Sequence, residues 1–351
     1  MKRRPDNVHN MRAIIKESAG PGLVMKDIEC PEPGPDDVLI RILKTSICGT
    51  DVHSDLWAAW AARTIKPPMV IGHECGGDLV RLGDRVKGLE LGEVVSGEGH
   101  LVCGQCRNCL GGRMHLCPHT KGVGINRQGA FADYLCLPQT NVWSVDPEIP
   151  LRFASCFDPL GNAVHTATHF DVLGEDVLIT GAGPIGCMAA AICRHAGARS
   201  VVVTDINPYR LELARKCGAT VALDVSRESL HETEKLLNMK EGFDVGLEMS
   251  GNPSALSQMI DVMFSGGRIA LLGILPSDAQ VDWTEIIFKG LTLKGIYGRK
   301  MYETWYKMSV LLRSGLDIAP VITHTFPAES WREAFDLMES GKSGKIVLDW
   351  N

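Results

Sequence analysis

Four cysteines fall within fifteen positions, in the run Cys103-Gly-Gln-Cys106-Arg-Asn-Cys109 followed by Cys117-Pro118. Thiolates at this spacing on a Gly-rich segment can fold around one ion, and four of them fill a tetrahedral zinc completely, leaving no position for substrate. Iron–sulfur proteins share the first two intervals, but their last interval is three residues where this one is seven. Cys103, Cys106, Cys109 and Cys117 therefore predict a closed structural zinc site, against the plainer alternative of a disulfide or unrelated thiols. A second group lies outside the quartet, in Cys48-Gly-Thr50-Asp-Val-His53 and Gly72-His73-Glu74. Alone, one Cys is more often a packing group and one His a satisfied polar group. Together they offer thiolate, imidazole and carboxylate, the mixed donors of a catalytic zinc that keeps one position open. Asp158, in Phe157-Asp158-Pro159, can close that shell or can simply be a turn aspartate before proline.

A different chemistry is written at Gly181-Ala-Gly183-Pro-Ile-Gly186. It follows the β-branched run 176–180 and precedes the helix-prone run 187–193. In a dinucleotide fingerprint Gly181 permits the tight turn, Gly183 lets a pyrophosphate approach the backbone, and Gly186 lets helix and sheet pack closely. The next apolar run ends at Asp205, where a carboxylate can accept both ribose hydroxyl protons and repel the 2′-phosphate of NADP. NAD is thus expected over NADP, with Arg210 softening the preference. The alternative is a glycine-rich turn that only packs, which leaves the acidic strand end unexplained.

These groups need two kinds of scaffold. From Arg12 to about Asn162, short apolar runs broken by Gly and Pro have the texture of a β-rich domain. From about Ala163 to Gly298, strands at 176–180, 200–204, 245–248, 268–272 and 291–295 alternate with helix-like segments, as in a parallel doubly wound sheet. Two further helices are expected, 301–314 and 329–340, each ending before a glycine. The expected organisation is an N-terminal extension at 1–10, a catalytic domain of 11–162 and 299–351 with a zinc lobe at about 97–120, and a cofactor domain at 163–298.

The 351 residues exceed one ordinary core. Their 45% hydrophobic content suits packed domains, and the net charge of −6 disfavours a phosphate-tracking nucleic-acid binder. The most apolar stretch, 177–193, is interrupted by Gly181, Gly183, Pro184 and Gly186, so no membrane span is expected. The first ten residues lack the apolar centre of a secretory signal. Twelve cysteines in that context suggest a reducing compartment, the cytoplasm by default.

The chain resembles the medium-chain, zinc-dependent alcohol dehydrogenase family. The likeness runs from about Met11 onward and is carried by 44–53, 96–100, 157–166, Gly246-Leu-Glu-Met-Ser-Gly251 and Gly295-Ile-Tyr-Gly-Arg299 beside the zinc and nucleotide motifs. The resemblance implies a GroES-like catalytic domain joined to a Rossmann domain. It implies Cys48, His73 and Glu74 as catalytic-zinc ligands, with Asp158 as a fourth ligand or a partner through water. Which of Glu74 and Asp158 binds directly stays open. It further implies Thr50 and His53 as a proton relay, and NAD contacts from Ile185, Asp205, Arg210, Leu272, Gly273, Ile274, Ile296 and Tyr297. It implies a homotetramer with two zinc ions per chain, and oxidation of a small molecule, L-threonine, to 2-amino-3-ketobutyrate, a polyol or another secondary alcohol being the alternative. The segments 57–63 and 75–95 depart from the family pattern. Arg299 is the candidate for a cation facing a substrate carboxylate, since its fork suits one, and its alternative is a surface arginine.

Overall fold

The computed structural model describes residues 9–351. The expected extension, 1–10, lies outside the described residues apart from its last two positions. The chain forms two compact units.

The first unit comprises residues 9–158 together with His324–Ser340 and Lys345–Asn351. Its main sheet has the order Val142–Ser144, Val94–Gly97, Cys75–Leu82, Asp37–Ser46, Lys345–Asp349, Ile322–Pro327, and Tyr134–Pro138 also pairs with Asp37–Ser46. Alternation along Asp37–Ser46 serves two cores. Val38, Ile40 and Ile42 join Phe131, Phe335, Ile346 and Leu348, while Leu39 joins Met11, Ala13, Ile15 and Val70 on the other face. Burial of each such side chain contributes about 1.5–3 kcal/mol. Strand Lys345–Asp349 pairs antiparallel with Asp37–Ser46, setting Val347 against Ser46 and Leu348 against Thr45. The zinc lobe is a small two-stranded ribbon, His100–Leu101 with Lys121–Gly122.

The second unit, Pro159–Thr323 with Gly341–Gly344, carries a six-stranded sheet. Its order is Val221–Asp224, Ser200–Asp205, Asp176–Thr180, Phe243–Glu248, Met263–Leu271, Thr292–Gly295, and every pair is parallel. This is the 3-2-1-4-5-6 arrangement of a Rossmann domain, whose order reverses beside Asp176–Thr180. The combination of a GroES-like β-rich unit and a doubly wound α/β unit is the fold class expected. Edge strand Val221–Asp224 has no counterpart among the expected strands, because four residues with one β-branched member give no periodic signal.

One assignment differs. Residues 299–323, expected with the catalytic domain, lie in the second unit. Helix Glu303–Arg313 buries Thr304, Trp305 and Met308, and the 3-10 turn Ala319–Val321 packs on helices Pro184–His195 and Pro208–Lys216. An amphipathic pattern shows that a helix needs a core but not which one. Among the described residues no helix is long and apolar enough to cross a membrane.

Candidate active site and metal centres

Cys48 stands at the N-cap of the short helix Gly49–Asp55, which also carries Thr50 and His53. His73 and Glu74 follow Gly72, which has φ +86° and where a Cβ would lie 2.2 Å from the Phe131 ring. Only glycine lets the chain pass Phe131 and deliver the next two side chains to Cys48. Donor atoms of Cys48, His73 and Glu74 all lie within 4.8 Å of one another. Asp158 is outside that set, yet buried and near enough for its charge to act on His73 and Cys75.

The electrostatics of this cluster call for a cation. Burial lowers the His73 imidazolium, but the Cys48 thiolate beside it, with Asp51 and Asp158, overcomes that and raises His73 well above its ordinary value. His73 Nδ1 is also buried with no hydrogen-bond partner among the described residues. A divalent ion would satisfy the same anions, so the donor set fits the mixed zinc site expected.

Asp51, given no role in the sequence reading, braces this group. Its Oδ2 accepts the Cys48 backbone N–H at 2.8 Å, and its Oδ1 lies 3.8 Å from His73 Nδ1. Burial pushes Asp51 up to about 6, against the pull of His73. The signal available was its position three residues after Cys48, where an acid turns back to cap the helix start. Glu74 is held too: Ser46 Oγ donates to its Oε2, and Lys345 Nζ lies 2.7 Å from Oε1 and 2.5 Å from Oε2. From Cys48 toward solvent, the thiol lies 3.6 Å from Thr50 Oγ1, and His53 on the same helix is exposed.

The quartet closes on itself. Sγ separations are 3.5 Å for Cys106 and Cys109, 3.6 Å for Cys103 and Cys117, and 4.0 Å for Cys103 and Cys109. A zinc–sulfur tetrahedron with bonds of about 2.3 Å has edges of about 3.8 Å, so the thiols already stand as ligands would. Burial would raise Cys117, but backbone N–H groups of Cys103 and His119 aimed at its sulfur bring it down to about 6. All twelve cysteines are free thiols.

In the second unit a cavity of about 390 Å³ is lined by Gly181, Gly183, Asp205, Arg210, Ser250 and Asn252 among others. The three fingerprint glycines differ physically. Gly181 has φ +90°, and a Cβ on Gly186 would meet Gly181 O at 2.0 Å. A Cβ on Gly183 would meet nothing within 4 Å, leaving open the space a pyrophosphate would take. Asp205 is less free than its position suggests, since it accepts from Ala182, Ile206 and Asn207 N–H at 2.8–2.9 Å. Arg210 Nε is buried without a hydrogen-bond partner among the described residues. Ile185 lies in the first turn of helix Pro184–His195. Leu272, Gly273 and Ile274 follow one strand, and Ile296 and Tyr297 the next. Ile274 and Tyr297 are exposed.

Glu248, quoted in the sequence only inside a motif, ties these strand ends together. Its Oε1 accepts from Ser250 and Gly251 N–H at 2.9 Å and from Thr180 Oγ1 at 3.3 Å, while its carbonyl accepts from Leu272 and Gly273.

Arg299 is only 2% exposed, so it is not a surface arginine. Its side chain packs where a Cβ on Gly161 would meet it at 3.0–3.1 Å. Arg299 thus packs against helix Phe157–Ala167, and its contact with a substrate carboxylate stays a proposal resting on the fork of its guanidinium.

A mixed-donor centre and a closed tetrathiol centre on a GroES-like unit, with a dinucleotide fingerprint on a Rossmann unit, define the class of zinc-dependent alcohol dehydrogenases. Residues 34–147 match the alcohol dehydrogenase GroES-like domain, and residues 184–314 match the zinc-binding dehydrogenase domain. The chain is 58% identical to the L-threonine 3-dehydrogenases of Proteus mirabilis and Idiomarina loihiensis, each over 97% of this chain and 100% of the relative. It superposes with a TM-score of 0.88 and 26% identity on an Escherichia coli alcohol dehydrogenase complexed with NADH, covering 98% of this chain and 100% of that one. The chain belongs to the zinc-dependent medium-chain alcohol dehydrogenase family, among the L-threonine 3-dehydrogenases. It is an oxidoreductase that uses zinc and NAD and acts on a small molecule.

Proposed function

We propose that this chain oxidises the secondary hydroxyl of L-threonine, giving 2-amino-3-ketobutyrate and NADH. The observation that carries the reading is the 58% identity to L-threonine 3-dehydrogenases along their whole length. The hydroxyl carbon gives a hydride to NAD, and the hydroxyl gives up its proton.

Cys48 and His73, with Glu74 or Asp158, hold the catalytic ion, and Cys103, Cys106, Cys109 and Cys117 hold the structural one. Bound zinc supplies a Lewis acid that lowers the pKa of a hydroxyl, and NAD is the hydride acceptor. Asp51 fixes the Cys48 backbone and faces the His73 ring, keeping both donors aimed. Thr50 Oγ1 lies 3.6 Å from the Cys48 thiol and the exposed His53 follows on the same helix, an order along the chain that suits a proton passing outward. In the second unit Gly181, Gly183, Ile185 and Gly186 take the pyrophosphate, and Asp205 and Arg210 face the adenosine ribose. Leu272, Gly273, Ile274, Ile296 and Tyr297 border the nicotinamide end.

We further propose an assembly and a location. The chain works as a homotetramer, a reading supported by the exposed Trp283, Ile287 and Phe288 next to the edge strand Thr292–Gly295. It resides in the cytoplasm, where twelve free thiols stay reduced. Light scattering on the purified protein tests the first.

The experiment for the substrate is NADH formation against L-threonine, 2,3-butanediol and a polyol panel, since the fold alone serves many alcohols. L-threonine should be the preferred substrate. Brisk polyol oxidation with none on L-threonine would overturn the assignment.

A further inference from the structure

Lys345 is the least expected member of the catalytic cluster. It reaches Glu74 from the strand that pairs with Asp37–Ser46, and both side chains are almost fully buried, 3% and 1% exposed. Its ammonium donates to Ile47 O at 2.7 Å, one residue before Cys48, and lies against both oxygens of Glu74. Ser46 Oγ adds another donor on Oε2 and itself sits 3.0 Å from Ser155 O. A carboxylate offers about four lone-pair sites, so Lys345 and Ser46 occupy most of what Glu74 has to give.

A catalytic zinc must keep one position exchangeable, and Glu74 is within reach of the same centre as Cys48 and His73. A buried carboxylate with no other cation would stay on the metal. Lys345 provides the other cation, and its compact ammonium can hold or release an oxygen without the fixed fork of an arginine.

We propose that Lys345 competes with the zinc for Glu74, and that this buried ammonium holds the carboxylate off the metal and keeps its fourth position open. Lys345 is thus a positioning residue, acting on the ion through Glu74. The inference rests on the reading of Cys48 and His73 as ligands of the catalytic zinc.

Zinc release to a chelator, followed with a metallochromic dye, tests it without turnover. The Cys48-site zinc is the ion missing from Cys48→Ser, while the quartet supplies a slow internal reference. Removing a positive charge beside a divalent ion and freeing Glu74 to ligate should slow release from Lys345→Met by about tenfold or more. Lys345→Met/Glu74→Gln should lose that slowing, and Lys345→Arg should stay near the parent. Release from Lys345→Met as fast as the parent or faster would overturn the proposal. Should Lys345→Met fail to fold, Lys345→Gln, which loses the charge but keeps a polar end toward Ile47 O, decides by the same criterion: slower release supports the competition, and parent-like or faster release overturns it. Full zinc content in Cys48→Ser would instead strike down the underlying site reading.

Discussion

The glycines of the nucleotide loop separate cofactor binding from folding, because a methyl group added to each meets a different neighbour. At Gly183 it enters open space, and φ −66° suits alanine. As an N-cap, Gly183→Ala costs about 0.5 kcal/mol, and the stiffer unfolded chain returns about 0.4–1 kcal/mol. The free protein should therefore keep its stability to within about 0.5 kcal/mol. A pyrophosphate lying against the backbone would meet the methyl, at a cost of about 1–3 kcal/mol, weakening NADH by roughly 5- to 150-fold. At Gly186 the methyl would sit 2.0 Å from Gly181 O, a backbone atom that cannot turn aside. Gly186→Ala should lose about 3 kcal/mol, about 6–12 °C in melting temperature for a unit of this size. Differential scanning fluorimetry and NADH fluorescence titration on the two variants give both quantities. Parent-like NADH affinity in Gly183→Ala would refute the approach of a pyrophosphate there, and an undamaged Gly186→Ala would refute the packing argument.

The two metal centres should part company on mutation. Cys48→Ser loses one zinc and activity with its fold intact, and Cys103→Ser loses mainly stability, which metal analysis and melting curves will show. Asp205→Ala should weaken NAD and cut the NAD over NADP preference by about tenfold or more. Because three backbone donors lose their acceptor, it should also destabilise by about 1–3 kcal/mol, and an unchanged cofactor ratio removes Asp205 from the ribose. Arg299→Ala should lower the melting temperature and, with its fork facing the substrate carboxylate, raise KM for L-threonine more than for 2,3-butanediol. An equal change in both would leave Arg299 a packing residue. His231 titrates above its usual value because Glu234, and then Asp261, bind its protonated form. The folded state thus holds that proton more tightly, so the contribution is complete below about pH 6.5 and fades as pH rises through the raised value. His231→Gln should cost up to about 1 kcal/mol near pH 5.5 and nothing near pH 9 in urea titrations, the pair being largely exposed.

Local spacing was the readable part of this molecule. The quartet is legible because four thiols within fifteen residues need no long-range fold to meet, and the nucleotide loop because strand, turn and helix are consecutive. Cys48 and His73 were found as separate fragments, and only the pairing of Asp37–Ser46 with Cys75–Leu82 brings their segments side by side. Lys345 was illegible: a lysine after Ser-Gly reads as a solvated turn, and its role depends on a partner 271 residues away. The packing of Arg299 on Gly161 was equally invisible, since no local pattern joins these two positions. The placement of 299–323 failed because amphipathicity carries no address.

The central pairing of the catalytic sheet, Thr45 with Leu348, joins positions about 300 residues apart, with the whole nucleotide unit between them. On a ribosome adding about 5–20 residues each second, the Cys48 segment emerges roughly 15–60 s before the strand that completes its sheet. During that interval Cys48, His73 and Glu74 lack Lys345, and Val38, Ile40 and Ile42 lack Ile346 and Leu348. The nucleotide sheet, whose six parallel strands all lie between residues 176 and 295, can close first. A pulse of cysteine-reactive label on stalled nascent chains should therefore find Cys48 open long after Cys193 is protected.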